Sequence, residues 1–218
     1  MLTASEKPTT NIELIPPGVY VANCYGVIDL GTLENKVYGG EAHKVLIQWE
    51  LPECRGEFER DGETVNLPRV ISKRYTLSLS EMAKLRSDLQ SWRGARPFTP
   101  DELRGFDLKA ILETPCQLQI AHETSREGRS FASVAAIMAL PKGTPRPGKL
   151  ENPIAFFSFE EVVDKPELPD VPHWIQNIIT ESNEWRQAMR NEQPVQAESI
   201  SKQDAQAKPE EEDNDVPF

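Results

Sequence analysis

Val19-Tyr-Val-Ala-Asn-Cys-Tyr-Gly-Val-Ile-Asp-Leu30 is the stretch on which the fold turns. Pro16-Pro17-Gly18 punctuates the chain before it, and Gly31 to Glu41, with a Gly39-Gly40 pair, forms a loop after it. Val19, Val21, Tyr25 and Val27 recur with period two, Asn23 excepted, which predicts a strand with one apolar face. Gly26 sits inside that strand, where glycine often marks a tight bend at a barrel corner. A second strand is predicted over His43 to Leu51. It sets His43, Val45, Ile47, Trp49 and Leu51 on one face and Lys44, Leu46, Gln48 and Glu50 on the other. One apolar and one polar face is the pattern of a half-solvated antiparallel sheet.

Working outward, Glu53 to Leu67 is a charged excursion or small hairpin with Asp61-Gly62 as its turn signal, and Arg69 to Leu77 reads as a third strand. Ser78-Leu-Ser-Glu81 has the form of a capping box, and Met82, Leu85, Leu89 and Trp92 follow at helical spacing until Gly94. Thr99-Pro-Asp-Glu102 opens a second, short helix that ends at Gly105. Cys116 to Glu123 and Ser130 to Leu140 read as strands four and five. Pro141 to Gly148 reads as an extended connector, and Ile154 to Phe159 as an aromatic segment packed on the body. Pro172 opens an amphipathic helix running to about Arg190, through Trp174, Ile175, Ile178, Ile179, Trp185 and Met189.

Three strands, a helix and two more strands is the order of the five-stranded Greek-key barrel called the OB-fold. The expected architecture is therefore mainly β. It has a frayed N-terminus (1–14), the barrel (15–140), and a connector with a helical extension packed on the barrel (141–190). A disordered linker (191–209) follows, spanning about 25 Å as a flexible chain, and then an acidic tip (210–218). An unrelated three-plus-two sandwich shares the same strand order.

The net charge of −11 is unevenly placed. Residues 1–150 carry 19 Lys and Arg against 19 Asp and Glu, whereas residues 151–218 carry 5 against 16. A neutral body with an acidic tail can still present a local basic groove. Cys24, Cys54 and Cys116 are odd in number and scattered, as are His43, His122 and His173, so neither a disulfide framework nor a metal site is expected. With no signal peptide and no apolar run of membrane-spanning length, the expected setting is cytoplasmic.

The chain finishes Glu210-Glu-Glu-Asp-Asn-Asp-Val-Pro-Phe218: five acidic side chains, then Val216, Pro217 and a terminal aromatic. A solvating tail needs no aromatic at its end; a docking peptide uses the ring as an anchor and the acids to steer it. The tip resembles the C-terminus of bacterial and phage single-stranded DNA-binding proteins, which carry several Asp residues followed by a hydrophobic residue, Pro and Phe. That resemblance implies a barrel that coats exposed strands during replication, recombination or repair, in the host cytoplasm if phage-encoded. It also implies a tip, with Asp213, Asp215, Val216, Pro217 and Phe218, that recruits partner proteins. The excursion at 53–67 and the extension at 151–190 depart from the common bacterial pattern, so a monomer or homodimer is expected rather than a tetramer.

Binding single strands without reading sequence takes cations along the phosphates and flat side chains under the bases. Thr64 to Ser80 contains no acid but has Arg69, Lys73, Arg74 and Tyr75. Lys73 and Tyr75 are expected in the groove and Arg74 at its rim, with Lys44 on the neighbouring strand. Lys36 and Tyr38 lie in the loop between strands one and two. Arg126, Arg129 and Phe131 lie around the turn between strands four and five, and Arg93 and Arg96 precede Phe98 after the first helix. Each cluster also reads as solvated charge beside a core aromatic. Trp49 and Trp92 belong to the core.

No phosphate loop, nucleophile elbow or cofactor motif is present, and no enzyme activity is expected. Asp107-Leu-Lys109 has a nuclease-like spacing but no second acid placed to share a metal ion. Two rival readings remain. One is an interaction protein that mimics the tip of a single-strand binder without binding DNA; the other is a nuclease.

Overall fold

A computed structural model describes residues 13–34, 39–60, 62–125, 127–161 and 167–191. The chain is mainly β. The strands are β1 (Gly18–Glu34), β2 (Glu41–Arg60), β3 (Glu63–Thr76), β4 (Pro115–Thr124) and β5 (Ser130–Met138), with a short β6 (Ala155–Phe157). The helices are α1 (Lys84–Trp92), α2 (Pro100–Arg104), α3 (His173–Thr180) and α4 (Asn183–Asn191). Antiparallel pairing in the order β3-β2-β1-β4-β5 makes one curled sheet, and β6 adds to β1 in parallel. The curl brings the outer strands together: the Lys73 ammonium on β3 donates to the Val134 carbonyl on β5 at 3.0 Å. This arrangement is compatible with the expected five-stranded barrel.

β1 departs from simple alternation. The expected apolar face of Val19, Val21, Tyr25 and Val27 does not exist as one face, and Val19 is 55% exposed. The register with β2 shifts between Cys24 and Gly26, and again between Asp29 and Gly31. A shift of one residue sends every following side chain to the other face. Ala22 and Cys24 before the break, and Val27 after it, therefore share one core, while Ile28 and Leu30 enter a second.

The first core lies inside the curl, where Val45, Ile47, Trp49 and Leu51 of β2 meet Leu85, Leu89 and Trp92 of α1. The Trp49 and Trp92 rings lie 5.8 Å apart, both in the core as their apolar stripes predicted. α1 begins later than its sequence signature. Ser78 does not cap it: the residue before the helix is Ala83, without a side-chain cap. Ser78 Oγ instead accepts the Ser80 N–H at 3.1 Å, a local turn that competes with helix entry. Met82, expected on the helix's apolar stripe, is 95% exposed. The second capping box is built as predicted, with Thr99 and Glu102 exchanging bonds in both directions.

The second core corrects the expectation of a solvated sheet face. Phe157, Val171, Ile175 and Ile179 cover Ile28, Leu30 and Leu46 on the outside of β1 and β2. Full burial of each such aliphatic side chain contributes about 1.5–3 kcal/mol. Beside this core Glu50 is 1% exposed, its carboxylate accepting the backbone N–H of Glu151 and Asn152 and the Asn152 side-chain amide at 2.9–3.2 Å. The long C-terminal helix expected from Pro172 is two helices. Buried Ser182 sits between α3 and α4 and accepts the Trp185 N–H at 3.2 Å, starting a new helix.

α4 is clasped to the barrel by charge. Glu184 accepts both the N–H and the hydroxyl of Thr32 at 2.6 Å. His43 Nε2 lies 2.6 Å from Asp29 Oδ1, and its Nδ1 lies 3.7 Å from Glu184. Gly31 makes room for this: at φ +71° it adopts a left-handed turn, and a Cβ there would sit 2.6 Å from Ser182 and Glu184.

The bond to Asp29 raises the His43 pKa, partial burial opposes it, and the charges of Asp29, Glu184 and Glu160 add to the rise. A raised folded value means that the stabilisation is complete below the ordinary histidine range and is lost as pH rises through the folded value. An NMR titration should therefore show His43 titrating above free histidine, with α4 loosening over the same interval. Glu184→Gln should move that titration downward; a His43 titration at or below the free value would remove the clasp.

Candidate nucleic-acid interface

The inside and outside of β3 decide which cations can meet a phosphate backbone. Arg69, Ile71, Lys73 and Tyr75 share one side, and Ile71 and Tyr75 belong to the inner core. Tyr75 is 3% exposed, its hydroxyl donating to Asp88 at 3.0 Å. Burial, and then the Asp88 carboxylate, push its phenol well above the usual range. Lys73 donates to Asp88 at 2.9 Å and lies 5.4 Å from the Tyr75 ring centroid. The expectation that Lys73 and Tyr75 line a groove is therefore corrected. A ring sealed in the core has no face for a base, and Lys73 joins β3, α1 and β5.

Arg74 faces outward and is exposed. It lies opposite Leu46 on β2, while Thr76 lies opposite Lys44, so Arg74 and Lys44 are diagonal neighbours on one surface. Lys44 donates to Thr76 Oγ1 at 2.7 Å, which holds its ammonium over the same strip. Val70, Ser72, Arg74 and Thr76 form an acid-free line along the outside of the strand. The rim assignment for Arg74 was thus too modest: it is the outward cation of β3.

The other expected positions divide. Arg69 is 17% exposed along its side chain and is held by the carbonyl and carboxylate of Glu13, pinning the segment that leads into β1. Arg93 is equally enclosed, its guanidinium 4.6 Å from the Phe98 ring and paired with Glu102. The Thr99 N–H bond lowers the Glu102 carboxyl to about 2, against partial desolvation and with help from Arg93 and Arg96. Arg93 and buried Phe98 are thus structural, whereas Arg96 shares Glu102 but remains 65% exposed. Arg129 is largely exposed beside Glu127, and Phe131 is 42% exposed at the start of β5. Lys142, Arg146 and Lys149 are exposed along the connector. Lys36, Tyr38 and Arg126 lie outside the described residues, as do Asp213, Asp215, Val216, Pro217 and Phe218.

Two further aromatics stand exposed: Phe58 on the β2–β3 hairpin (43%), which the sequence reading did not single out, and Trp174 on α3 (48%), expected on that helix's apolar stripe. The long register from Arg55–Pro68 to Arg60–Glu63 turns the charged excursion into a two-stranded arm, with Phe58 opposite Val65. The small hairpin signalled by Asp61-Gly62 is thus built, as a longer arm. Nothing in its spacing marks Trp174 as exposed, because the same helix buries Ile175 and Ile179.

Among the described residues, no cluster of His, Cys, Asp or Glu is placed to hold a metal ion. Asp107 accepts the Lys109 N–H at 2.8 Å and so caps a turn at Leu108–Ile111. Burial pushes the Cys24 thiol up to about 12 and Cys116 well above its usual range, keeping both neutral. No helix among the described residues is long and apolar enough to cross a membrane. No protein-family model matches this chain, and no curated protein matches it.

The contrast between the two sides of β3 is directly testable. Asp88 receives bonds from Lys73, Lys84 and Tyr75. Burial raises its carboxyl pKa, but the lysine bonds outweigh burial and the net shift is downward. Its contribution is therefore present above the unfolded carboxyl value and lost as pH falls through the folded one. Asp88→Ala should cost about 3 kcal/mol in denaturant unfolding at neutral pH and blunt the acid sensitivity. Arg74→Ala should cost less than about 0.5 kcal/mol. Equal losses would place Arg74 among the structural cations.

Proposed function

We propose that this chain is an OB-fold protein that binds single-stranded DNA with little sequence specificity and recruits partner proteins through its acidic tip. The observation that carries the DNA half is the outward, acid-free line of β3 with Arg74 and Lys44 side by side, on a curled sheet whose strand order suits an OB barrel. Exposed Arg129 and Phe131 extend the set to the β4–β5 turn, one of the two loops that flank the OB binding face. Phosphates would neutralise the cations and bases would stack on exposed rings such as Phe131. The recruiting half rests on Val216-Pro217-Phe218 behind its run of acids.

A second reading has an observation in its favour. The outer face of β1 and much of β2 is occupied by the C-terminal extension, and Arg69, Lys73 and Arg93 are held by the protein's own carboxylates. A chain with so much of its sheet covered could serve as a docking protein that carries a single-strand binder's tip without gripping DNA.

Fluorescence anisotropy with labelled oligo-dT separates the two. The DNA-binding reading expects affinity that drops steeply with added salt, from release of condensed counterions. It expects Lys44→Glu with Arg74→Glu to weaken binding about tenfold or more. Removal of residues 210–218 should leave that affinity unchanged or tighten it while partner recruitment is lost. Indifference to oligo-dT at low salt would leave the docking reading standing.

A further inference from the structure

One end of the barrel is open. Between the start of α1, the corner after α2 and the turn after β6 lies a cavity of about 690 Å³. Its depth is apolar, lined by Val27, Val45, Leu85, Phe106 and Phe156. At its mouth Leu77 and Leu103 stand 43% and 37% exposed. The volume falls within the range of small-molecule and cofactor sites, and barrel mouths are among their preferred places.

The lining charges select the occupant. Asp107, Glu160 and Glu161 stand on the walls beside Arg104, and Arg104 already pairs with Asp101. Asp29 and His43, also on the lining, are engaged with each other. The net negative lining repels phosphates, and it repels the chain's own acidic tip for the same reason. Lys109 displays the chemistry that this rim accepts: its ammonium lies 4.3 Å from the Phe156 ring centroid and pairs with Glu161.

We propose that this mouth docks a segment of a partner protein in which an apolar side chain is flanked by lysine or arginine. The apolar group enters between Leu77 and Leu103, and the cations meet Asp107 and Glu160 and compete with Lys109 for Glu161. The site is opposite in charge preference to the β3 surface, shares a preference for cations with the acidic tip, and does not depend on the chain binding DNA. It borders the β3 surface at Thr76–Leu77, so the partner would be held beside the proposed nucleic-acid path.

The test is a two-dimensional NMR titration of the full chain with two synthetic peptides, acetyl-KKLFKK-amide and acetyl-EELFEE-amide. The basic peptide should shift resonances over residues 77–79, 103–108 and 156–161, and the acidic peptide should not. Leu103→Arg and Glu160→Lys, both at exposed positions, should each weaken the basic peptide about tenfold, as expected for a lost apolar or ionic anchor. Thermal midpoints should stay unchanged in both variants. Equal binding of the two peptides, shifts confined to other surfaces, absence of binding by the basic peptide, or indifference to both substitutions would overturn the proposal.

Discussion

β1 has to bury both of its faces, and a regularly alternating strand does that only when both alternating sets are apolar. Here one set is not: Asn23 and Asp29 interrupt it, and in the other Gly26 contributes no side chain. The register break at Gly26 reassigns the residues after it, so Val27 continues the core begun by Ala22 and Cys24, and Ile28 and Leu30 face the other way. A Cβ at Gly26 would lie 2.7 Å from the Gln48 carboxamide oxygen and 3.1 Å from its Cβ, so the glycine gives the Gln48 side chain its place beside the break. Everything outside the barrel follows from this. The apolar outer patch made by Ile28, Leu30 and Leu46 would be costly in water, and β6, α3 and the start of α4 are the cover that removes the cost.

That cover has a consequence for charge. Attaching it buries Glu50 and Asp29 and partly covers His43 and Glu184, and the curl of the sheet encloses Lys73 and Asp88. Ion pairs of this kind are specific in geometry even where their net worth is small. Each one bonds a residue in one element to a residue in another, as Lys73 and Asp88 join β3 to α1. Arg74 and Lys44 point away from the inner core, on the outer face that also carries Leu46 of the second core, and Arg74 stays exposed beside the cover.

The sequence carried the elements better than their faces. Thr99-Pro-Asp-Glu102 is a local device, complete within four residues, and it appears in the structure bond for bond. Ser78-Leu-Ser-Glu81 has the same local form but sits against the end of β3. There the Leu77 N–H still pairs with the His43 carbonyl at 2.8 Å, and the sheet delays the helix to Lys84. The inner and outer sides of β3 were undecidable from residue type, since Lys73 and Arg74 put a cation on each. The answer depended on Asp88, fifteen residues away, and on the partner strand. Ser182 likewise gave no warning: a serine inside an amphipathic run usually points to solvent, and only its burial shows that it ends one helix and begins the next.

The same geometry bears on how a body with no net charge could hold a polyanion. Phosphate binding is decided by field along a path, not by the sum over the molecule. The residues on the outside of β3 include no acid, and Glu50, opposite Val70 on β2, is buried, whereas the open end of the curled sheet, bordering Thr76–Leu77, gathers Asp107, Glu160 and Glu161. An anionic strand following the cations of β3 would meet this acidic mouth at one end and be turned aside by repulsion, most strongly at low ionic strength. The opposite end of the strand runs into the arm beyond Pro68, where Glu57, Glu59 and Glu63 again raise the cost. The acids at either end therefore bound a short cationic stretch on the outside of β3.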